Sequence, residues 1–463
     1  MDQRILVINP PSKDKNVNRD MAGGLGFSGG EGVILPPLDL LSIVTSLRDK
    51  NDVFFIDAIA EEKRINEIFD FILDKKIDLV IGNLSLPTIT EDISFYKKVK
   101  NLNEEIRVLV KTGINYEEIL SKIILESGVD LVIFSECDFN IIDYIKGEEK
   151  SGTVKMINGK IIFNKILERE SNLDLLPIPS RDLLKNNLYS FFLLEKPVTT
   201  IQTTRGCPYP CGYYCPYPLV QGTKWRYMSA ERVLEEIKSI VDLGIKNILF
   251  RDATFTLDKK RILEICNLII KDKLKIKWWC ETRINLLDEE LLLKMKKSGC
   301  VGINVGVETL DGELIKKQGK PGVSLEDVVK IRELARKINL KLHFLMIIGL
   351  PDENLDTLKN TFEYFIKLRP ESAGFTLITP YPGTRMFDEA KKRKLIRNFD
   401  WNSFDGATSN MRTKYLTETE LKFGRFLLQI SSFLNKKDGV IKFIGLNGIR
   451  FIFKIWEIIK RRY

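Results

Sequence analysis

The sequence predicts an α/β protein: a doubly wound parallel sheet, then a six-unit partial (β/α)6 barrel of the TIM type, then a C-terminal helical segment. Short β-branched apolar runs alternate with amphipathic stretches over about the first 150 residues, and longer units of the same kind restart near residue 199. Such alternation is typical of parallel sheets. The length, 463 residues, is enough for two or three domains.

The first segment, 1–150, carries five apolar runs that predict the strands of a Rossmann-like sheet. These runs are 5–8, 53–56, 79–81, 108–110 and 131–134. Ligands of such sheets bind beyond the carboxyl ends of the strands. The residues predicted at those ends are Asn9, Pro10, Ser85, Leu86, Pro87, Thr88, Thr112, Gly113, Ser135 and Glu136.

A hairpin and a linker are predicted for 151–196. The dipeptide Asn158-Gly159 separates two short β-prone runs, and this is a strong hairpin signal. The next segment, 197–395, restarts the alternation with runs at 199–204, 247–250, 275–280, 302–305, 341–348 and 374–377. Six units are too few for a closed barrel of eight, so a partial barrel is expected, followed by a helical region over 396–463.

Three of the seven cysteines fall within nine residues, at Cys207, Cys211 and Cys215. A structural zinc site needs four ligands, and the only histidine, His343, is far away in the sequence. A disulfide framework is typical of small secreted chains with an even cysteine set. Three thiolates on one loop instead suit an iron–sulfur cube that keeps one iron open. Zinc and redox cysteines remain the alternatives.

Composition narrows the range of partners. The net charge of +9 comes from 72 basic and 63 acidic residues, a mild excess that predicts a solvated surface and no nucleic-acid partner. The chain begins without a signal peptide, so a reduced, cytoplasmic protein is expected. No apolar run reaches the ~18–20 residues that a membrane span needs.

The loop Cys207-Pro208-Tyr209-Pro210-Cys211-Gly212-Tyr213-Tyr214-Cys215 resembles the cluster-binding loop of radical S-adenosylmethionine (SAM) enzymes. The family spacing is three residues and then two, whereas here it is three and three. Tyr214 supplies the aromatic residue that the family places before its last cysteine. The resemblance implies a 4Fe-4S cluster whose open iron binds SAM and cleaves it with one electron.

The doubly wound segment ahead of the barrel is similar to the cobalamin-binding branch of that family. Three sequence motifs of this segment resemble those of that branch: Val7-Ile8-Asn9-Pro10-Pro11, Pro36-Pro37-Leu38 and Ser85-Leu86-Pro87-Thr88. This resemblance implies cobalamin at the strand ends given above. The chain departs from the pattern at Lys111-Thr112-Gly113 and Ser135-Glu136-Cys137-Asp138, and it has no histidine before His343 to serve as lower ligand.

The same resemblance assigns SAM-binding roles in the barrel. Asp252 is expected to contact the ammonium, Arg283 the carboxylate, Glu308 the ribose, and Gly349 the adenine. The structural alternatives are a helix cap for Asp252, an Arg–Glu pair for Arg283 and a simple turn for Gly349. His343 lies in an apolar run and is expected to be a core histidine.

The function implied is cobalamin-dependent methyl transfer to an unactivated carbon, with a ferredoxin or flavodoxin as electron donor and a small molecule or lipid as substrate. The alternatives are non-methylating radical chemistry (cyclisation, oxidation or carbon–carbon coupling on a lipid or tetrapyrrole) and a non-enzymatic corrinoid or iron–sulfur binding module. The segment 440–463 predicts a basic amphipathic helix with Lys442, Asn447, Arg450, Lys454, Glu457 and Arg461 on one arc. Such a helix lies on a membrane or packs on the barrel.

Overall fold

The computed structural model describes residues 3–13, 17–28, 32–148, 151–317, 322–437 and 440–462. It divides into two compact units. The first holds Met1–Pro208, Cys215–Ala253 and Lys271–Trp278, and the second holds Tyr209–Tyr214, Thr254–Ile270 and Trp279–Tyr463. The segment boundaries predicted at 150, 196 and 395 stay predictions.

The first unit is built on a seven-stranded sheet. Its strands are β1 Arg4–Asn9, β2 Asp52–Asp57, β3 Leu79–Leu84, β4 Arg107–Thr112, β5 Leu131–Ile133, β6 Thr153–Ile157 and β7 Lys160–Asn164. The order in the sheet is β2-β1-β3-β4-β5-β6-β7, and the first five strands are parallel to one another. All five strands predicted for this segment are therefore confirmed.

Five helices connect these strands: α1 Leu38–Leu47, α2 Ile65–Asp74, α3 Ile89–Leu102, α4 Glu117–Ser127 and α5 Ile141–Lys146. Apolar side chains of α1, such as Leu40 and Val44, pack with Ile5, Val7 and Leu109 of the sheet. The strands are apolar on both faces because helices cover both faces of a doubly wound sheet.

The prediction of a purely parallel, five-stranded sheet was wrong at one edge. The predicted hairpin forms, with Asn158 and Gly159 at φ 49° and 72°, as a two-residue type I′ turn requires. Its first strand pairs antiparallel with β5, where Val132 lies opposite Val154. Two antiparallel strands therefore extend the parallel sheet.

A second sheet has six strands in chain order: β8 Val198–Ile201, β9 Asn247–Phe250, β10 Lys277–Arg283, β11 Cys300–Glu308, β12 Lys341–Ile348 and β13 Ser372–Leu377. This order is that of a partial (β/α)6 barrel, and all six predicted strands are confirmed. The helices around it are α6 Tyr217–Gln221, α7 Ala230–Asp242, α8 Lys259–Lys271, α9 Glu289–Lys297, α10 Gly312–Lys317, α11 Leu325–Lys337, α12 Leu355–Leu368 and α13 Arg385–Lys392.

Two helices end the chain, α14 Glu418–Asn435 and α15 Val440–Arg462. Thr417 and Glu420 form a capping box at the start of α14, in which each side chain accepts a hydrogen bond from the backbone N–H of the other. In the part of the chain that the structure describes, every helix is too short or too polar to cross a lipid bilayer.

Candidate functional site

The cysteine loop begins and ends at a two-stranded neck. Strands Thr204–Arg205 and Arg226–Tyr227 pair antiparallel, with Arg205 opposite Arg226. Gly206 follows at φ 86°, and a Cβ there would lie 2.1 Å from the Lys224 carbonyl oxygen, so the turn requires glycine. The backbone N–H of Cys207 donates to the Gly222 carbonyl at 3.1 Å.

One buried carboxylate, that of Glu136, holds both strands of this neck. It accepts hydrogen bonds from Arg205 at 3.0 Å and from Arg226 at 2.6 and 2.8 Å. Burial opposes the ionisation of Glu136, but the two guanidinium groups outweigh it and lower the pKa of Glu136 to about 2. Glu136 was predicted to contact cobalamin; the structure places it at the base of the cysteine loop.

Further buried ion pairs adjoin the contacts of Glu136 with Arg205 and Arg226, which we call the clamp. Asp138 pairs with Arg205 at 2.7 Å and with Lys111 at 3.5 Å, and Lys111 pairs with Asp39 at 2.7 Å. Asp39 is also hydrogen bonded to Asp20. Burial of Asp20 and the charge of the Asp39 carboxylate raise the pKa of Asp20 well above its usual value. Since buried charges need partners, this chain of ion pairs is internally compensated.

None of these three cysteines forms a disulfide bond; Cys207 and Cys211 are buried and Cys215 is half-buried. Tyr214 donates its backbone N–H to the Cys211 carbonyl at 3.2 Å. Within the described residues, no three His, Cys, Asp or Glu side chains converge as metal ligands. Assignment of the three thiols to a cluster therefore stays a prediction. The cysteines at 137, 266, 280 and 300 are buried, as predicted for small core residues.

Asp252 lies beyond the end of β9 and binds the segment that leads into the neck. Its carboxylate accepts hydrogen bonds from the hydroxyl groups of Thr203 and Thr204, at 3.1 and 2.8 Å, and from the backbone N–H of Thr204. The next helix begins later, at Lys259. Its predicted contact with the SAM ammonium stays a prediction.

Arg19, which the sequence analysis missed, organises the predicted cobalamin residues at the carboxyl ends of β1 and β3. Its guanidinium pairs with buried Asp92 at 2.7 Å and donates to the Asn9 side chain at 3.1 Å and the Pro10 carbonyl at 2.9 Å. Asp92 also accepts from the Ser85 backbone N–H at 3.1 Å. The predicted residues are thus brought together by the chain's own ion pair.

A glycine-rich segment covers this rim. The Leu25 carbonyl accepts the Leu86 backbone N–H at 2.9 Å, and a Cβ on Gly113 would lie 2.6 Å from the Gly24 carbonyl oxygen. These contacts hold Gly24 and Leu25 against the rim; Gly29 and Gly30 of the same glycine-rich segment lie outside the described residues. The other predicted rim residues sit nearby in the fold: Pro87 and Thr88 in a short helical turn after Ser85, Thr112 at the end of β4, and Ser135 after β5.

Two buried oxygens at the same rim are unsatisfied. The side-chain oxygens Oδ1 of Asn18 and Asn83 have no hydrogen-bond donor among the described residues. Buried acceptors are normally paired, so each is a place where a ligand N–H group fits.

In the second unit, Arg283 ends β10 and stacks on Tyr209, with its guanidinium carbon 3.9 Å from the ring centroid. Tyr209 lies between Cys207 and Cys211 in sequence. Stacking uses the plane of the guanidinium, and at its edge Nε donates to the Asn285 side-chain oxygen at 3.4 Å. The geometry is consistent with the predicted carboxylate contact, which the structure leaves a prediction.

Glu308 ends β11 in a left-handed conformation, with φ 67°. The pairing register with β12 shifts between Gly306 and Glu308, which marks a β-bulge. A buried, non-glycine residue at positive φ is uncommon and clusters at functional sites, and a bulge changes the direction of the side chain. These observations mark Glu308 as a candidate site residue, and its role at the ribose stays a prediction.

Gly349 follows β12 at φ 100°, and a Cβ there would lie 2.6 Å from Ile378. Its backbone N–H donates to the carboxyl of Glu353, a residue that the sequence analysis missed. Glu353 is fully buried, and its other oxygen has no partner among the described residues. Burial raises the pKa of Glu353 to about 8, so this carboxyl is protonated at neutral pH.

We expect Glu353→Gln to remove a pH dependence of stability. In the native protein Glu353 holds its proton up to about pH 8, whereas at its ordinary pKa of 4.5 the unfolded chain has lost it. Native protein therefore binds more protons between these values, and stability falls with rising pH by up to about 1.4 kcal/mol per pH unit. Urea unfolding of both proteins across this pH range measures the difference.

Asp352→Asn is the control for that experiment, because the neighbouring Asp352 is exposed. Its pH profile should follow that of the unchanged protein. Parallel profiles for the unchanged protein and Glu353→Gln would contradict the assignment of a protonated Glu353.

His343 behaves as the predicted core histidine. It is buried in β12 and its Nδ1 lies 2.7 Å from the Ser372 hydroxyl oxygen. Burial lowers the pKa of His343 to about 4, so the ring is neutral near pH 7.

Known proteins resemble the chain over nearly its whole length. A family model described as the radical SAM superfamily matches residues 201–365. An uncharacterized methyltransferase of Pyrococcus horikoshii is 29% identical over 428 residues, covering 90% of each chain. The cobalamin-dependent SAM radical enzyme OxsB aligns at 19% identity and TM-score 0.69, covering 98% of this chain and 71% of OxsB.

A third relative is the radical SAM methyltransferase TsrM from Kitasatospora setae. It aligns at 16% identity and TM-score 0.66, covering 86% of this chain and 77% of TsrM. Together these comparisons confirm the predicted fold class: a doubly wound sheet combined with a partial barrel.

Proposed function

Because the chain belongs to the radical SAM superfamily, we propose that it is a cobalamin-dependent enzyme that transfers a methyl group to an unactivated carbon. The observation that carries this proposal is the three-cysteine loop, which lies inside the matched segment 201–365 and is clamped at its neck by Glu136. Two of the relatives described above are named methyltransferases, which favours methyl transfer over other radical chemistry.

Cys207, Cys211 and Cys215 would hold a 4Fe-4S cluster. Three thiolates leave one iron without a protein ligand, and burial of Cys207 and Cys211 excludes water from two of the three ligands. When bound, the cluster supplies the electron that cleaves SAM. The neck, held by Glu136, anchors the loop at both of its ends.

We assign SAM binding to Tyr214, Asp252, Arg283, Glu308 and Gly349. Arg283 supplies a planar cation for the methionyl carboxylate, and Asp252 a carboxylate for the ammonium. The bulged Glu308 supplies acceptor oxygens for two ribose hydroxyls. Gly349 supplies a surface without a side chain, although its N–H is already bonded to Glu353.

Cobalamin would occupy the rim of the seven-stranded sheet, where it supplies a methyl group. The residues present fit this ligand, because the unsatisfied oxygens of Asn18 and Asn83 suit the amide N–H groups that ring the corrin. Leu25 bonds to Leu86 across the same rim and the Gly24 carbonyl lies against Gly113, so a corrinoid at Gly113 would displace the segment around Gly24.

We further propose three partners. A small molecule or lipid is the substrate, and a ferredoxin or flavodoxin is the electron donor that the cluster requires. A peripheral contact with a membrane is made through the C-terminal helix α15.

The test is anaerobic reconstitution with iron, sulfide and cobalamin, followed by mass spectrometry of the products of SAM. Methyl transfer through this site predicts 5′-deoxyadenosine together with S-adenosylhomocysteine, because one SAM generates the radical and another supplies the methyl group. 5′-Deoxyadenosine alone would reject methylation in favour of other radical chemistry. Absence of both products, with the cluster loaded, would reject an enzymatic role.

A further inference from the structure

The final helix, α15, packs by one of its faces against other helices of the second unit. Leu446, Ile449, Phe453 and Trp456 are buried, and the rings of Phe453 and Trp456 lie 5.3 and 5.2 Å from those of Phe362 and Phe423. The packing alternative predicted for this helix is therefore realised along this face. The side chains of Lys442 and Arg461 lie outside the described part of the structure.

The opposite side of α15 is apolar and exposed. Its residues are Ile444, Phe451, Ile452, Ile455, Ile458 and Ile459, which are 36% to 64% exposed. At about 100° per residue these positions fall within an arc of roughly 120°. A contiguous apolar surface of this kind marks an interaction site more often than scattered exposed residues do.

Helix α14 extends this surface. Phe426 and Phe433 are 53% and 61% exposed. The helices touch where Phe423 meets Trp456 and where a Cβ on Gly445 would lie 2.7 Å from Leu434. On each helix the exposed apolar residues lie next to the residues that form this helix–helix contact. The exposed apolar residues of α14 and α15 therefore form one continuous surface. We call the exposed apolar residues of α14 and α15 the hairpin face.

The hairpin face is surrounded by positive charge. Residues 417–463 hold ten Lys or Arg and four Asp or Glu, which gives +6 of the chain's net +9. Two of these acids, Glu420 and Glu457, are paired with Lys460 and Lys359. Lys422, Lys436, Lys437 and Lys454 are exposed around the face. Two copies of so basic a surface would repel each other, which argues against a second copy as the occupant.

We propose that the hairpin face binds the surface of an anionic lipid bilayer. The isoleucine and phenylalanine side chains enter the interface, and the lysines lie level with the negative headgroups. This proposal specifies the membrane contact given under the proposed function, with α14 added to α15. It depends on charge and exposed apolar area alone, so it stands or falls separately from the radical chemistry.

The experiment is flotation of the full-length protein with vesicles, without SAM. Vesicles of phosphatidylcholine with phosphatidylglycerol should carry the protein upward, and vesicles of phosphatidylcholine alone should carry much less. The double variant Phe451→Asn, Ile455→Asn should bind the anionic vesicles about tenfold more weakly, equivalent to ~1.4 kcal/mol. The double variant Lys437→Glu, Lys454→Glu should also weaken vesicle binding, and the loss should be larger at low salt than at high salt.

Leu293→Asn is the matched control, because Leu293 is 49% exposed but lies on α9, away from the hairpin face in sequence. It should bind vesicles as the unchanged protein does. Unchanged melting temperatures would show that all variants fold. Equal binding to both vesicle types, binding unaffected by the double variant, or a dimer that the double variant dissociates would each overturn the proposal.

Discussion

Cys211→Ala is expected to yield folded protein that retains no 4Fe-4S cluster and forms no detectable 5′-deoxyadenosine. Two thiolates cannot replace three, and Cys211 is the central cysteine of the loop. Iron and sulfide analysis, together with the visible absorbance of the anaerobically loaded protein, measures the first effect. Mass spectrometry of the SAM products measures the second.

Cys300→Ala provides the comparison, since Cys300 is also buried but begins strand β11 outside the loop. It should keep full iron content and lose only the small packing energy of one sulfur. Normal turnover by Cys211→Ala would remove the basis of the proposed function.

Glu136→Ala should strongly destabilise the first unit. The substitution leaves the guanidinium groups of Arg205 and Arg226 buried without the Glu136 carboxylate. Removal of one partner from a buried ion pair costs about 3–5 kcal/mol. Arg205 keeps Asp138, so we expect about 3 kcal/mol, the lower end of that range. Iron content should also fall, because the neck of the cysteine loop loses its common anchor.

Calorimetry of the unloaded protein separates these effects, with ~2–4 °C lost per kcal/mol for a unit of this size. Glu136→Gln should lie between the unchanged protein and Glu136→Ala, because the amide keeps one acceptor oxygen but loses the second acceptor and the charge. Because the folded pKa is lowered to about 2, the contribution of Glu136 is complete above pH 4.5 and disappears as the pH falls toward 2.

Lys185→Ala is the surface counterpart of that change. Lys185 pairs with Glu61 at 2.6 Å, but its side chain is 63% exposed, so its loss should cost less than about 1 kcal/mol. A cost for Glu136→Ala as small as that for Lys185→Ala would show that the neck does not depend on Glu136.

The strands were predictable because a parallel strand covered on both faces is a short, continuous run of β-branched residues, as 79–81 and 108–110 are. The pairing of β6 with β5 was not predictable. The turn at Asn158-Gly159 specifies a hairpin, but no local signal states which strand the hairpin joins. Long-range pairing follows from packing of the whole unit.

The cysteine loop was predictable because its ligands are adjacent in sequence. The clamp was not, because Glu136, Arg205 and Arg226 come from three distant segments. One local signal existed: Lys111 stands inside an apolar strand, and a buried lysine requires carboxylate partners. Arg19 carried no such signal, since it sits in a polar stretch that reads as a loop.

The antiparallel hairpin also determines which strand forms one edge of the first sheet and is exposed to other molecules. Strand β5 would otherwise present unpaired backbone groups along an apolar run, and these invite pairing between molecules. With the hairpin in place, the outermost strand is β7, five residues long, opened by Lys160 and followed by Lys165. Short, charged margins are poor templates for intermolecular ladders, so concentrated preparations should resist fibrillar assembly along this side.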